Sequence, residues 1–219
     1  MLKLYNTHMT VKEIYEKYKI PPNLQKHMLR VAGVAQIITK NWSGVIDETS
    51  VVSACLFHDM ANIIKFRMDK PSLFKDEEIQ KEYWKGVQKE YINKYGNDVH
   101  KATLIICEKI GLPQKVLRLI ENLDWNNTQK VIDENDFECG IPLYADMRMG
   151  PFGILPLGER FENLKTRANH HNFDGLYKAA LLLEKKLQKM TMIDLQSITD
   201  IQLTKKFNSL SGLEILTSF

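Results

Sequence analysis

The residues best placed to do chemistry in this 219-residue chain are two histidines and two aspartates, each carried by an apolar segment. His58-Asp59 closes the run Val51–Phe57. Burying an imidazole beside a carboxylate costs on the order of several kcal/mol unless both are compensated, and one divalent cation compensates both. The alternative is a capped helix end with His58 hydrogen-bonded in the core. His27 stands in helical register with Val31, Val34 and Ile38, so it faces the same interior. Asp146 follows Leu143-Tyr144-Ala145 and brings a second carboxylate out of an apolar segment. Two imidazoles and two carboxylates form a mixed nitrogen and oxygen donor set, suited to a borderline or hard divalent ion.

Three stretches carry a resemblance to a known family: His27-Met-Leu-Arg-Val-Ala, Ala54-Cys-Leu-Phe-His58-Asp59-Met and Tyr144-Ala-Asp146-Met-Arg. A histidine on one helix, a His-Asp doublet on a later one and a distant aspartate resemble the HD-domain superfamily of metal-dependent phosphohydrolases, over roughly Asn23 to Arg167. The resemblance implies an all-α, compact helical bundle. It also implies that His27, His58, Asp59 and Asp146 hold one divalent metal ion (Mn, Mg, Co, Ni, Zn or Fe). The activity implied is hydrolysis of a phosphate ester, of a nucleotide or a related small molecule, the ion acidifying a water and neutralising phosphate charge.

The catalytic candidates are Asp59, Arg30 and Asn62, and the candidates for gripping substrate are Lys65, Arg67, His100 and Arg148. Arg30 lies one turn after His27, where it either reaches the pocket or is a solvated surface charge. Lys65 and Arg67 follow the doublet in a basic loop, which either closes over a phosphate or is solvated. Arg148 and Arg160 are pocket or structural cations, and Arg160 beside Glu159 reads as structural. His100, in the first turn of a helix, is either a pocket residue or a solvated one. Tandem His170-His171, in an Asn-rich loop, reads as surface. The chain departs from the family pattern in two ways. Several members place an acid three residues after the doublet, where this chain has Asn62, and an amide takes up no proton at neutral pH. Members with two metals carry further histidines, and here His100 alone lies between the doublet and Asp146.

The elements that position these residues read as helices from end to end. Thr10 with Glu13 forms a capping box, and Pro21-Pro22 opens a second helix carrying His27. Asp47 and Ser50 cap a third, about Val51–Asn62; Lys65–Lys75 reads as a loop. Helices follow at about Asp76–Lys94, Asp98–Ile110, closed by Gly111, and Gln114–Leu123. The polar stretch Asp124–Glu138 leads to Pro142 and the apolar Leu143–Met147. A loop over Gly150–Gly158 precedes a helix through Arg160 and Arg167, and another helix spans about Asp174–Met190. The amphipathic tail Asp194–Phe219 packs on the bundle or meets a partner. No two-residue alternation lasts long enough to build a sheet.

Composition narrows the classes. A charge of +3, with Lys and Arg dispersed among acids, excludes a dedicated nucleic-acid surface. No apolar run approaches the length of a membrane span, and no secretory leader is apparent, so the expected compartment is the cytoplasm. Cys55, Cys107 and Cys139 lack thiolate-site spacing and are expected to be reduced and mostly buried. One domain accounts for residues 1–219, and nothing excludes a homo-oligomer. Two rival readings stand beside the hydrolase. One is a metal- and nucleotide-binding module with little turnover, favoured by Asn62. The other is a di-iron oxygenase, which needs more ligands than the chain supplies.

Overall fold

The computed structural model describes residues 6–165 and 173–218, and the chain is all-α apart from one two-stranded ribbon. Arg167, His170 and His171 lie outside the described residues. The order is β1 (Asn6–Thr10), α1 (Val11–Lys17), α2 (Pro22–Lys40), α3 (Glu48–Phe57), a 3-10 turn (Asn62–Lys65), α4 (Lys75–Ile79), α5 (Lys81–Tyr95), α6 (Val99–Ile110) and α7 (Gln114–Glu121). A second 3-10 turn (Trp125–Asn127) leads to α8 (Thr128–Glu134), α9 (Phe137–Met147), α10 (Leu157–Lys165) and α11 (Phe173–Met190). A third 3-10 turn (Leu195–Ser197), α12 (Asp200–Thr204), α13 (Phe207–Ser211) and β2 (Glu214–Ser218) complete the chain.

Helices α2, α3 and α9 pack on one another and form the centre of the molecule. Pro22 sits in the first turn of α2, where its missing N–H costs nothing. Leu24, Met28, Val31, Ala35 and Ile38 then line the face that α2 buries. Helix α3 is apolar nearly all round, with Val51, Ala54, Cys55, Leu56 and Phe57 fully enclosed. Its start is set by Asp47, which accepts from the Ser50 amide at 3.0 Å and from the Ser50 hydroxyl at 2.7 Å. These bonds, with Lys115 3.0 Å away, hold the Asp47 carboxyl down at about 2. Asp47→Ala is therefore expected to lower stability by about 1 kcal/mol at neutral pH. A depressed folded-state pKa makes that contribution fully present above about 4 and lost as pH falls through about 2. Urea titrations at pH 7 and pH 2 check it; equal penalties at both would remove the cap from the account.

Several boundaries differ from the sequence reading. Helix α3 stops at Phe57, and Asn62 begins a separate 3-10 turn because the chain turns at His58–Ala61. Within Lys65–Lys75 the loop runs from Phe66, and α4 begins at Lys75. The polar stretch Asp124–Glu138 is mostly helical, its exposed polar face masking the buried Val131 and Ile132. Pro142 lies inside α9, which Asp136 caps through the Cys139 amide at 3.1 Å. A short sheet does form: β1 and β2 pair antiparallel from Asn6↔Ser218 to Thr10↔Glu214. Five residues at each end of the chain are too short a signal for either strand alone. The tail thus packs on the molecule, with Leu203 and Leu210 buried in the core. No helix among the described residues is long and apolar enough to cross a membrane. All three cysteines are free and buried.

Candidate metal centre

The doublet is the C-terminal end of α3, His27 lies in the second turn of α2, and Asp146 is in the last turn of α9. Two helix C-termini therefore bring carbonyl ends, with their partial negative charge, to the same point, which favours a cation there. The His27 and His58 Nε2 atoms stand 3.3 Å apart. Asp59 Oδ2 lies 3.5 Å from the first and 3.7 Å from the second; Asp146 Oδ1 lies at 3.1 and 3.6 Å. Donors bound about 2.1 Å from one ion are separated by roughly 3.0 Å at octahedral and 3.4 Å at tetrahedral edges. The observed separations are those of neighbouring ligands. His27, His58 and Asp59 have ligand atoms all within 4.8 Å of one another and could hold a metal ion.

A second layer of contacts orients these groups. His58 Nδ1 is 2.8 Å from the Cys55 carbonyl, which can only accept, so the proton belongs on Nδ1 and neutral His58 presents a bare Nε2. Asn62 Nδ2 donates to Asp59 Oδ2 at 2.7 Å, and Trp125 Nε1 donates to Asp146 Oδ2 at 2.8 Å. Asn62 Oδ1 is buried with no hydrogen-bond partner in the structure. Full burial works against charge on His58, but Asp59 and Asp146 outweigh it and push the imidazole up to about 9. Burial likewise opposes charge on Asp146, yet His27 and His58 hold its carboxyl well below the usual range.

A cavity of about 190 Å³ opens on this cluster, lined by His27, Asp59, Asn62, Phe74, Gly150 and Arg160 among others. Arg160, read from sequence as structural, is on its wall, its guanidinium 5.9 Å from the Trp125 ring centre. The other candidate cations go elsewhere. Arg30 turns from His27 by the 60° that three helical residues impose and meets Asp200, 3.4 Å from Nε, and the Phe207 ring. Asp200 also accepts from the Ile154 amide, so Arg30 steadies the loop between α9 and α10 instead of touching the cluster. Gly153 in that loop leaves room for the same carboxylate, since a Cβ would lie 2.1 Å from Asp200 Oδ2. Arg148 is enclosed, donating to the Leu155 and Leu195 carbonyls and the Tyr144 hydroxyl, so it binds structure and not substrate. Lys65 and His100 are exposed, and neither lines the cavity. Arg67 is exposed and paired with Asp69 at 3.2 Å.

Sequence reasoning missed Trp125. An indole N–H within a polar stretch needs an acceptor, and that requirement was the available signal. Trp125→Phe is expected to weaken divalent-metal binding about tenfold or more while leaving helicity unchanged, because the Asp146 carboxylate, a candidate ligand, is freed to rotate. Competition against a fluorescent chelator reads this out, and wild-type affinity would separate Trp125 from the site.

No family model, curated protein or solved structure matches the chain.

Proposed function

We propose that this protein is a metal-dependent phosphohydrolase of the HD type, acting on a phosphate ester of a small molecule such as a nucleotide. The observation that supports it is the convergence of His27, His58, Asp59 and Asp146 at 3.1–3.7 Å contacts, with His27 and Asp59 on the wall of an open cavity that also carries Arg160. In this reading Asp146 is the fourth ligand beside the three that could hold an ion. A bound divalent ion supplies Lewis acidity, lowering the pKa of water and offsetting phosphate charge. Arg160 offers guanidinium charge to a phosphate oxygen, and the Asn62 amide keeps the Asp59 carboxylate aimed inward. The free, buried thiols are in keeping with a cytoplasmic location.

A specific observation favours a second reading. Asn62 donates from its amide to Asp59, and an amide exchanges no proton at neutral pH, so this position supplies no general acid or base. A metal- and nucleotide-binding module with little turnover follows from that. Elemental analysis of chelator-free protein, combined with phosphate release from a panel of monoesters and diesters with and without added metal, tests both. Metal-stimulated release from some ester supports the hydrolase; stoichiometric metal with no release from any supports the module.

A further inference from the structure

A second and larger cavity, about 620 Å³, abuts the first, with Asn23, Phe66, Leu73 and Phe74 as their common wall. Its volume falls in the range of small-molecule sites. The lining is ring-rich, with the buried Trp84 from α5 together with Phe66, Phe74 and Met68, and its rim carries Arg67 and Lys70.

The walls are anchored at several points, so the cavity is built into the fold. Gln88 Nε2 donates to the carbonyls of Ile63, Ile64 and Phe66, holding the start of the 66–74 segment on α5. Glu78 accepts from the Ser72 amide at 2.6 Å, and Lys81 donates to the Lys70 carbonyl at 2.9 Å. The buried Glu77 accepts from the Asn23 amide at 2.7 Å, capping the N-terminus of α2, which has no side-chain cap of its own. The helix that carries His27 and the segment that walls the second cavity are thereby tied to each other through α4 and α5. A preformed apolar cavity of this size beside a cluster of ligating side chains is suited to a group that those side chains do not themselves bind.

We propose that the second cavity is the subsite for the organic part of the substrate. It takes a flat aromatic group against Trp84, with the phosphate directed past Asn23, Phe66, Leu73 and Phe74, which line both cavities, toward the metal centre. The chain would thus select aryl or heteroaryl phosphates over alkyl phosphates. This rests on the phosphate-ester reading above.

Calorimetric titration of the metal-loaded full chain with 1-naphthyl phosphate and with methyl phosphate tests it. The naphthyl ester is expected to bind at least about tenfold more tightly, the gain that burying a ring in an apolar site brings. Trp84→Ala should bring the two esters to within about threefold while leaving metal content and methyl phosphate binding unchanged. Because Trp84 is also part of the core, Met68→Trp, which fills the cavity from its half-buried wall, should do the same. Equal binding of the two esters by wild type, no measurable binding of the naphthyl ester, or an undiminished preference in a folded Met68→Trp protein would overturn the subsite. Turnover is read separately. Ring preference without hydrolysis keeps the subsite and removes the hydrolase reading; hydrolysis without ring preference does the reverse.

Discussion

Asp146→Asn is expected to leave a folded, helical protein that binds divalent metal weakly and turns substrate over at least about a hundredfold more slowly, a loss of roughly 3 kcal/mol in the transition state. The geometry makes this substitution more severe than a lost charge. Trp125 Nε1 donates to Oδ2 of the aspartate, and in the variant only the amide oxygen can accept that bond. The NH2 group is then left where Oδ1 now lies, 3.1 Å from His27 Nε2 and 3.6 Å from His58 Nε2. A donor faces the position that needs a ligand. Added metal should therefore raise the melting temperature of wild type well above that of the variant, since stabilisation follows the ratio of metal concentration to dissociation constant. Equal metal-induced shifts and equal activity would remove Asp146 from the ligand set and leave His27, His58 and Asp59.

Metal affinity should rise with pH by about tenfold per unit up to roughly pH 8 and level off above about 9, so that pH 7 and pH 9 differ by about fiftyfold. The cause is the proton that Asp59 and Asp146 hold on His58 in the metal-free protein, where burial is outweighed and the pKa reaches about 9. An ion has to displace that proton to reach Nε2. The same raised pKa acts in the opposite direction on the metal-free fold. Its contribution to stability is fully present below the unfolded-state value of about 6.5 and is lost as pH rises through about 9. The metal-free protein should thus weaken over the range in which the metal-loaded protein strengthens. Calorimetry in two buffers of different ionisation enthalpy counts the released protons, and pH-independent affinity with no proton released between pH 7 and 9 would refute the account. His58→Ala, which should bind no metal, provides the baseline.

Much of this molecule was legible without coordinates wherever a signal was local. The Thr10–Glu13 capping box, Pro22 in the first turn of α2 and the Gly111 stop of α6 are features set within a few residues. The inward direction of His27 and the position of His58-Asp59 at the end of an apolar helix follow from helical period and from the cost of burying polar groups. Those same features named all four residues that converge. The cations were different. Arg30, Arg148 and Arg160 each read from sequence as a pocket cation or a structural or solvated one, and only the structure separates them. Arg30 meets Asp200, Arg148 is used up by the carbonyls of Leu155 and Leu195, and Arg160 reaches the cavity. A guanidinium on a long flexible stem takes its partner from whatever element packs nearby, and that choice is made 7 to 170 residues away along the chain.

What the sequence by itself determined was therefore the helical class, the faces each helix buries and the identity of the metal-ligating candidates, because these depend on period, polarity and neighbouring caps. Only the tertiary structure decided which groups orient these candidates, that Arg160 lines the cavity beside His27 and Asp59, that β1 and β2 pair across the chain, and that the 66–74 segment walls a second cavity. The physical reason is range. Helix propensity and capping act within a turn or two, whereas Trp125 meeting Asp146, or Glu77 meeting the Asn23 amide, joins residues 21 and 54 apart that only tertiary packing brings together.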